Sequence, residues 1–332
     1  MIIKFHPNTS QEIVSEVTGI LERAGSRYHL TQFDGNPIIV APDVPITACQ
    51  SIAEMLAVEA CINTDYPFPL CSFAMRPGGS IVRVRDFAVG QGHFAVIAGP
   101  CTVETEKQVL VTAQQVKAAG ATALRGGAFK PRTSPYAFQG LKREGLKILQ
   151  KVRIETGLVT VTEAMDSEEV KMVAEYADVV QIGTRNAQNY RLLETCGEMR
   201  IPILLKRGFG NTLEEFLMSA EYILAGGNEQ VILCERGIRT FETHMRYTLP
   251  IGTIPALKSM THLPVVVDPS HAAGSAYLVP SLAFASTAAG VDGLLVEVHP
   301  DPEHALCDGR QSLTPDEFEK MVQTCEKIRQ VL

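Results

Sequence analysis

The sequence predicts an α/β protein: a (β/α)8 barrel preceded by a small α+β unit. From residue 93 onward, eight short apolar segments alternate with amphipathic segments, which is the order of a (β/α)8 barrel. The apolar segments are nearly continuous, as is typical of parallel strands buried on both faces. Residues 1–70 follow a different order, strand, helix, strand, strand, helix, strand, which predicts a separate two-layer unit.

The elements of the first unit suit a ferredoxin-like α+β fold. Its strands are predicted near 2–5, 27–33, 37–41 and 58–64, and its helices near 9–24 and 46–56. A segment rich in Pro and Gly follows, and "IVRVRDFAVG" at 81–90 predicts a hairpin that caps the amino-terminal end of the barrel. The predicted domains are therefore 1–70, a linker with the capping hairpin at 71–92, and the barrel at 93–332.

The barrel strands can be placed individually. The eight strands of this predicted TIM barrel are 94–100, 121–127, 158–164, 179–185, 202–208, 231–237, 264–270 and 293–300. Glycines at 120, 157, 227 and 290 end four of the helices between them, where a left-handed residue is needed. The last helix begins with "TPDE", a capping sequence in which Thr314 and Glu317 bond each other's backbone.

Composition narrows the class of protein. Lys and Arg number 30 against 37 Asp and Glu, and the net charge of −7 argues against nucleic acid or an anionic membrane as the main partner. No apolar run reaches the length of a membrane span, and the start of the chain lacks the pattern of a secretory signal. The eight cysteines form no C-x-x-C pair, so we expect reduced thiols and a cytoplasmic protein.

Cations occur at the ends of the predicted strands, where a barrel of this class carries its chemistry. Without bound anions, such a convergence of cations at one barrel mouth would be strongly repulsive. We therefore expect small, multiply anionic ligands, with charge enough for two. The alternative is that these side chains are solvated at the rim or paired with helix acids. The six cations are Arg125, Lys130, Arg132, Arg185, Lys206 and Arg236.

A second group of strand-end residues fits a divalent transition metal. It comprises a thiol, an imidazole and two carboxylates: Cys101, His271, Glu297 and Asp308. These residues come from the first, seventh and eighth units, which barrel closure makes neighbours. The alternative to a metal site is a buried structural cysteine beside surface acids. Within the metal site, His299 and His304 are rivals of His271, which we favour because it follows strand seven directly. Glu163 is expected either to orient a cation or to support another site residue.

Seven motifs in order resemble the 3-deoxy-D-arabino-heptulosonate 7-phosphate synthase family over residues 93–332. They are "AGPCTVE", "LRGGAFKPRTSPYAFQG", "QIGTRNAQN", "KRGFG", "CERGIRTFE", "DPSHAAG" and "VEVHPDPEHALCDGRQSL". The resemblance implies condensation of phosphoenolpyruvate with erythrose 4-phosphate and release of phosphate, the first step of the shikimate pathway and of aromatic amino acid biosynthesis. It further implies one divalent metal ion, Mn, Fe, Co, Zn or Cu.

The resemblance also assigns roles to residues. It places the metal on Cys101, His271, Glu297 and Asp308. Phosphoenolpyruvate is assigned to Arg125, Lys130, Arg185, Lys206 and Arg236, and the aldose phosphate to Arg132, Thr133 and Ser134. We expect Lys130, Cys101 and His271 to be catalytic. Lys130 is the first candidate for proton transfer, because a lysine among other cations has its charged form disfavoured; an aspartate or a metal-bound water is the alternative.

Three positions depart from the family pattern: Thr184, Cys307 and Arg310, where Ala, Ser and Lys are common. Thr184 bears on substrate affinity, since it adds a hydroxyl close to the expected phosphoenolpyruvate site. Cys307 suggests a second hypothesis, an inactivating disulfide with Cys101 once the metal is lost. The other reading is that Cys307 is only a tolerated loop residue.

Alternatives remain for the reaction and for the first unit. 3-Deoxy-D-manno-octulosonate 8-phosphate synthases use arabinose 5-phosphate, but their corresponding motif resembles "KANRSS", whereas this chain has "KPRTS". A catalytically silent barrel that binds an effector is the other candidate. By resemblance, residues 1–70 are a regulatory domain for an aromatic amino acid such as tyrosine or phenylalanine; otherwise they only support oligomerisation. A homo-dimer or tetramer is expected of the family.

Overall fold

The chain begins with a four-stranded antiparallel sheet in the computed structural model, which describes residues 1–132 and 134–332. The elements are β1 (Ile2–Phe5), α1 (Gln11–Arg23), β2 (His29–Phe33), β3 (Asn36–Val40), α2 (Ile46–Ala53) and β4 (Val58–Ile62). The strands lie side by side in the order β2, β3, β1, β4. The predicted sequence of strands and helices is thus present, with slightly shorter elements.

The rest of the chain contains a two-stranded hairpin and then alternating strands and helices. These elements are β5 (Val82–Val84), β6 (Phe87–Val89), β7 (Ala95–Gly99), α3 (Glu106–Ala118), β8 (Ala123–Arg125), α4 (Arg143–Thr156), β9 (Val159–Ala164), α5 (Ser167–Tyr176), β10 (Val179–Ile182), α6 (Tyr190–Glu198), β11 (Ile203–Lys206), α7 (Leu213–Ala225), β12 (Val231–Glu235), α8 (Thr253–Met260), β13 (Val265–Val267), α9 (Pro269–Ala273), α10 (Val279–Ala288), β14 (Gly293–Glu297) and α11 (Pro315–Gln330).

Strands β7 to β14 form a closed parallel barrel in chain order. Each strand pairs with its neighbour, and β14 returns to pair with β7, so that Glu297 lies opposite Gly99. All eight strands fall inside the predicted segments, and the predicted (β/α)8 barrel is confirmed. Closure brings the first, seventh and eighth units together at one side of the barrel mouth.

The amino-terminal end of the barrel is filled by the hairpin β5–β6. Its apolar side chains Val82, Phe87 and Val89 belong to the same buried cluster as inward-facing strand residues such as Ile97 and Leu204. Because this end is packed with side chains, the cavity of the barrel can open only at the carboxyl ends of the strands.

Two helix ends predicted from the sequence have the expected geometry. Gly157 ends α4 with φ +75°, a left-handed conformation that glycine adopts without steric cost. Thr314 accepts a hydrogen bond from the Glu317 N–H, and the Glu317 carboxylate accepts one from the Thr314 N–H, so α11 begins with a complete capping box. In the described part of the chain, no helix is both long and apolar enough to cross a bilayer.

The sheet of residues 1–62 has two buried faces. One face carries Ile3, Phe5 and Ile39, which pack against α1 and α2 in a cluster of their own. On the other face, Ile2 and Ile38 belong to the cluster that also contains the barrel and its helices. The first unit therefore has its own core and is docked on the barrel by a second apolar surface.

Polar contacts fix this docking at the amino-terminal end of the barrel. The Arg76 guanidinium lies 4.6 Å from the ring centre of Phe33 and pairs with Asp34 and Glu229. Glu229 lies in the loop that leads into β12, where the barrel strands begin. The first unit thus docks at the end of the barrel opposite its mouth.

One buried glutamate anchors the linker. Glu221 of α7 accepts the backbone N–H groups of Leu70 at 2.9 Å and Cys71 at 2.7 Å. Burial raises the pKa of Glu221 to about 7, and the two donated hydrogen bonds oppose that rise. The start of the linker is held by these two bonds to a barrel helix.

Barrel closure can be tested at Gly293. This residue pairs with Ala95 where the last strand meets the first, and a methyl group on Gly293 would overlap the carbonyl oxygen of Ala95. Because both partners are strand backbone, we expect Gly293→Ala to lower the free energy of unfolding by about 2–3 kcal/mol in urea denaturation.

Gly252→Ala is the matched control. Open space surrounds the site of a Cβ at Gly252, so we expect its free energy of unfolding to stay within about 0.5 kcal/mol of the parent value. Equal stability of the two variants would show that the backbones of β7 and β14 are not in close contact.

Candidate active site

A polar cavity of ≈ 280 Å³ opens at the carboxyl ends of the barrel strands. Cations from four β/α units converge on it, although they are far apart in the chain. The predicted substrate-binding residues that line it are Arg125, Lys130, Arg132, Ser134, Arg185, Lys206 and Arg236. Thr133, also predicted, lies outside the described residues.

The cations divide into a buried and an outer set. Four of them, which we call the floor cations, are buried: Arg125, Lys130, Lys206 and Arg236. Arg132 is half-buried in the loop after β8, and Arg185 is exposed in the turn after β10. A small anion at the bottom of the cavity would lose most of its water and contact the floor cations instead. The outer set faces a more aqueous region.

The four predicted metal-ligating residues lie together beside the floor cations. The Cys101 Sγ lies 3.3 Å from Asp308 Oδ2, and His271 Nε2 lies 3.9 Å from the same oxygen. His271 Nε2 is also 3.5 Å from Glu297 Oε1. Asp308 therefore joins the thiol on one side to the imidazole and the second carboxylate on the other.

The two rival histidines are directed elsewhere. His304 is exposed and pairs with Asp301 at 2.7 Å. His299 Nε2 faces Glu104 at 3.6 Å, and its Nδ1 accepts the Asp301 N–H. Of the three candidate histidines, His271 is the one that groups with Glu297 and Asp308.

The donors of this cluster fit a divalent transition metal. Burial lowers the pKa of His271 to about 4, so its imidazole is neutral and has a lone pair to offer at neutral pH. Its Nδ1 lies 2.7 Å from Asp268 Oδ2, a carboxylate placed as those behind metal-bound histidines usually are. One thiol, one imidazole and two carboxylates suit a borderline metal ion better than Mg²⁺ or Ca²⁺.

Glu297 is kept ionised although it is fully buried. Arg125 forms an ion pair with its Oε1, and Gln311 Nε2 donates to its Oε2 at 2.6 Å. Burial opposes the charge, but His271, Arg125 and Lys130 outweigh burial and hold the pKa of Glu297 well below its usual range. Glu297 is therefore an anionic oxygen donor at any physiological pH.

Asp268 connects the cationic side of the cavity to the ligand cluster. It pairs with Lys206, accepts the His271 N–H at 2.9 Å as the cap of α9, and faces the His271 imidazole. Burial opposes its charge, but His271 and Lys206 outweigh burial and hold the pKa of Asp268 well below its usual range. One carboxylate thus fixes a floor cation and a candidate ligand.

The environment of Lys130 contradicts the expected electrostatics. Neighbouring cations were expected to disfavour its ammonium form. Burial and Arg125 do so, but the attraction of the Cys101, Cys307 and Glu297 side chains outweighs them and raises the pKa of Lys130. Lys130 therefore holds its proton at neutral pH, which suits a proton donor and not a base.

Cys307 lies close to two candidate metal ligands. Its Sγ lies within 4.8 Å of Cys101 Sγ and of an Asp308 oxygen, and it accepts a hydrogen bond from Arg132 Nη1 at 2.6 Å. A hydrogen bond from Cys101 lowers the pKa of Cys307. Both thiols are free, and the disulfide between them stays a prediction.

Several supporting residues were not selected from the sequence. Arg207 pairs with Glu235 at 2.6 Å, and the same carboxylate accepts the N–H groups of Arg236 and Gly237. The register of β11 and β12 places Lys206 beside Cys234, so the next residue pair, Arg207 and Glu235, was accessible to a strand-alignment argument.

Two further polar residues of the site have no comparable sequence signal. Arg246 donates to Asp308 at 3.3 Å and to Gln311 at 2.9 Å, and it lines the cavity. Gln311 in turn supports Glu297. Glu163 also lines the cavity and accepts a hydrogen bond from Gln181 at 3.2 Å, which fits a supporting role.

Comparison with known proteins finds one matching family model and relatives of two kinds, of which the heptonate enzyme covers the whole chain. A model of the DAHP synthetase I family matches residues 73–332. A phospho-2-dehydro-3-deoxyheptonate aldolase of Thermotoga maritima is 43% identical over 333 residues, covering 100% of this chain and 98% of the relative. A 2-dehydro-3-deoxyphosphooctonate aldolase of Syntrophotalea carbinolica is 34% identical over 260 residues, covering 72% of this chain and 92% of the relative.

Solved structures give the same grouping. A crystal structure of the Thermotoga maritima DAHP synthase has a TM-score of 0.80 at 42% identity and covers 99% of this chain and 97% of its own. A truncated form of the Thermotoga maritima 3-deoxy-D-arabino-heptulosonate 7-phosphate synthase has a TM-score of 0.74 at 45% identity and covers 80% and 97%.

The buried pair at Asp268 can be tested by removing its charge. In Asp268→Asn the ammonium of Lys206 keeps its burial but loses its counter-ion. Because an uncompensated buried charge is costly, we expect the free energy of unfolding to fall by about 3–5 kcal/mol in chemical denaturation.

The control is Asp43→Asn, which breaks an exposed ion pair with Arg27 at 3.3 Å. Exposed pairs contribute little, so we expect a change below about 1 kcal/mol. If Asp268→Asn were no more destabilising than Asp43→Asn, the Lys206 ion pair would not stabilise the fold.

Proposed function

The chain belongs to the DAHP synthetase I family, and we propose that its cavity condenses phosphoenolpyruvate with erythrose 4-phosphate. The products are 3-deoxy-D-arabino-heptulosonate 7-phosphate and phosphate, so the enzyme is a transferase at the first step of aromatic amino acid biosynthesis. The observation that carries the proposal is the single cavity in which cations for two anionic substrates adjoin a thiol, imidazole and carboxylate cluster.

Phosphoenolpyruvate is proposed to bind at the bottom of the cavity. The floor cations Arg125, Lys130, Lys206 and Arg236, together with Arg185 at the rim, supply guanidinium forks and ammonium groups for its carboxylate and phosphate. The volume available is that of small molecules, and the lining is dominated by polar groups. These features support a compact, multiply charged ligand.

Erythrose 4-phosphate is proposed to bind through the loop that follows β8. Arg132, Thr133 and Ser134 would hold its phosphate near the cavity entrance, where Ser134 is exposed and Arg132 half-buried. Lys130, two residues earlier, is buried beside Cys101 and Glu297. The same loop would therefore contact both substrates, with Lys130 toward the inner one and Arg132 toward the outer one.

Cys101, His271, Glu297 and Asp308 are proposed to hold one divalent metal ion. Their donor set accepts Mn, Fe, Co, Zn or Cu to different degrees. When bound, the metal supplies Lewis-acid polarisation of the aldehyde carbonyl of erythrose 4-phosphate. Asp268 and Gln311 keep two of these ligands oriented, through His271 and Glu297 respectively.

The chain's own residues account for the remaining steps. The cations hold C3 of phosphoenolpyruvate within reach of the aldehyde carbon, a positioning task that charge repulsion between the substrates opposes. As the C–C bond forms, the Lys130 ammonium donates a proton to the aldehyde oxygen. Water adds at C2 and gives up two protons: one restores the Lys130 ammonium, and the other goes to the phosphate, which leaves with cleavage of its C–O bond while the guanidinium groups stabilise its charge.

Residues 1–70 are proposed to be a ferredoxin-like regulatory domain, followed by the linker and hairpin at 71–92 and the catalytic barrel at 93–332. The support is an independent sheet with its own core and the strand order β2, β3, β1, β4. An aromatic amino acid is the proposed effector, and a dimer or tetramer the proposed assembly. Eight free cysteines support a reducing compartment, for which we propose the cytoplasm.

The first test is turnover by the full chain. We expect loss of phosphoenolpyruvate absorbance and release of phosphate with erythrose 4-phosphate, abolition of both after chelation, and recovery on adding Mn²⁺. Arabinose 5-phosphate is the matched substrate, and tyrosine and phenylalanine are added in turn to test the regulatory domain. Turnover with arabinose 5-phosphate alone would replace the proposed reaction by that of the octulosonate enzymes.

A second test separates the two substrates. Arg132→Ala removes a charged donor proposed to contact only the aldose phosphate, so we expect a tenfold or greater rise in KM for erythrose 4-phosphate. We expect KM for phosphoenolpyruvate to change less than about threefold, as measured by steady-state kinetics.

Arg143→Ala is the control, because Arg143 is an exposed arginine in the first turn of the next helix and does not line the cavity. It should leave both KM values unchanged. A rise in KM for phosphoenolpyruvate alone in Arg132→Ala would mean that the loop binds the other substrate.

A further inference from the structure

Arg236 differs from two of the other floor cations, Arg125 and Lys206, in how it is held. Arg125 pairs with Glu297, and Lys206 pairs with Asp268. Arg236 is as deeply buried, yet its Nε and Nη1 atoms have no hydrogen-bond partner among the described residues. Its guanidinium lines the cavity without a carboxylate to fix its direction.

An aromatic ring takes the place of the missing carboxylate. The Arg236 guanidinium carbon lies 4.0 Å from the ring centre of Tyr247. The Tyr247 ring stacks on Phe209, with the ring centres 5.4 Å apart and the planes 19° from parallel. Phe209 itself lies 5.5 Å from the Arg236 guanidinium. The two rings form a platform, here called the Tyr247–Phe209 platform.

The backbone around Tyr247 is fixed from two sides. The Tyr247 N–H donates to the Ala272 carbonyl at 2.9 Å, and Thr248 and Ile238 exchange two backbone hydrogen bonds. Gly237 follows Arg236 directly, with φ +85°, and a Cβ there would come within 3.0 Å of the Tyr247 Cβ. The absence of a side chain at Gly237 is what lets Tyr247 approach Arg236.

Stacking and ion pairing have different consequences for an arginine. A carboxylate partner occupies the N–H edge of the guanidinium, which is the edge that binds phosphate or carboxylate oxygens. An aromatic ring attracts the cation through the flat face of the guanidinium and leaves the N–H groups at its edge free. Arg236 is thus held in place while its hydrogen-bonding edge stays available to a ligand.

We propose that Tyr247, supported by Phe209, is a positioning residue that orients Arg236 for the anionic groups of phosphoenolpyruvate. The inference rests on the proposed function, because it assigns that substrate to the cavity. Tyr247 acts through Arg236, so its hydroxyl group has no role in the inference and the ring alone is required.

The test is the dissociation constant of phosphoenolpyruvate, measured by calorimetry on the metal-loaded full chain. Tyr247→Leu removes the aromatic face, and we expect roughly tenfold weaker binding, which lies between the values for exposed and for fully desolvated cation–π contacts. Tyr247→Phe keeps the ring and should restore binding to within about twofold. In steady-state kinetics we expect KM for phosphoenolpyruvate to rise in Tyr247→Leu while KM for erythrose 4-phosphate stays unchanged.

A double-mutant cycle separates positioning from a general packing effect. The Arg236→Met background lacks the cation that Tyr247 is proposed to orient, so Tyr247→Leu should weaken phosphoenolpyruvate binding further by less than about twofold. An equal loss in both backgrounds would overturn the proposal. If Tyr247→Phe lost as much affinity as Tyr247→Leu, the hydroxyl and not the ring would be responsible, and the proposal would likewise fail.

The matched control is Tyr222→Leu. Tyr222 stacks on Tyr190 with ring centres 4.6 Å apart, on the helices α6 and α7 and not in the cavity. It should leave phosphoenolpyruvate binding unchanged. Tyr247→Met, whose unbranched side chain adapts more readily to the space left by the ring, replaces Tyr247→Leu if the latter does not fold. Absence of phosphoenolpyruvate binding by the parent chain would instead refute the proposed function.

Discussion

The compensation of buried charge at the barrel mouth is the constraint on which the rest of the site depends. Closure of eight parallel strands forces their polar ends into one small volume. Burying an isolated charge there would cost much folding free energy, so each charge must be paired within the protein or with a bound ligand. Arg125 with Glu297, Lys206 with Asp268 and Arg207 with Glu235 meet this constraint within the protein.

The pairing is incomplete in a way that suits binding. Arg236 rests on an aromatic ring, and Arg185 and Arg132 face the more open part of the cavity. Arg125 and Lys206 are paired with carboxylates, whereas Arg236, Arg185 and Arg132 have no carboxylate partner among the described residues, which fits the proposed binding of anionic substrates. Glu297, which pairs with Arg125, also helps to keep Lys130 protonated, as the proposed proton donation requires.

The docking of the first unit places a limit on how it can influence the cavity. Its contacts through Phe33, Arg76 and Glu229 lie at the amino-terminal end of the barrel, opposite the mouth. An effector bound to residues 1–70 must therefore act through the barrel itself or from another subunit. The Glu221 anchor couples the linker to α7, and α7 follows β11, which carries Lys206.

The sequence by itself determined the eight strands, the helix caps and the residues at the strand ends. These features depend on local periodicity and on rules for strand ends that need no knowledge of distant contacts. Only the tertiary structure decided which charges pair, because Arg125 and Glu297 lie 172 residues apart and Lys206 and Asp268 lie 62 apart. For the same reason the pKa of Lys130 is raised and not lowered as expected: its neighbouring cations are visible in the sequence, but Glu297 and the two thiols that outweigh them come from other β/α units. The aromatic support of Arg236 was equally inaccessible, since it depends on a loop that returns to the same strand end after ten residues.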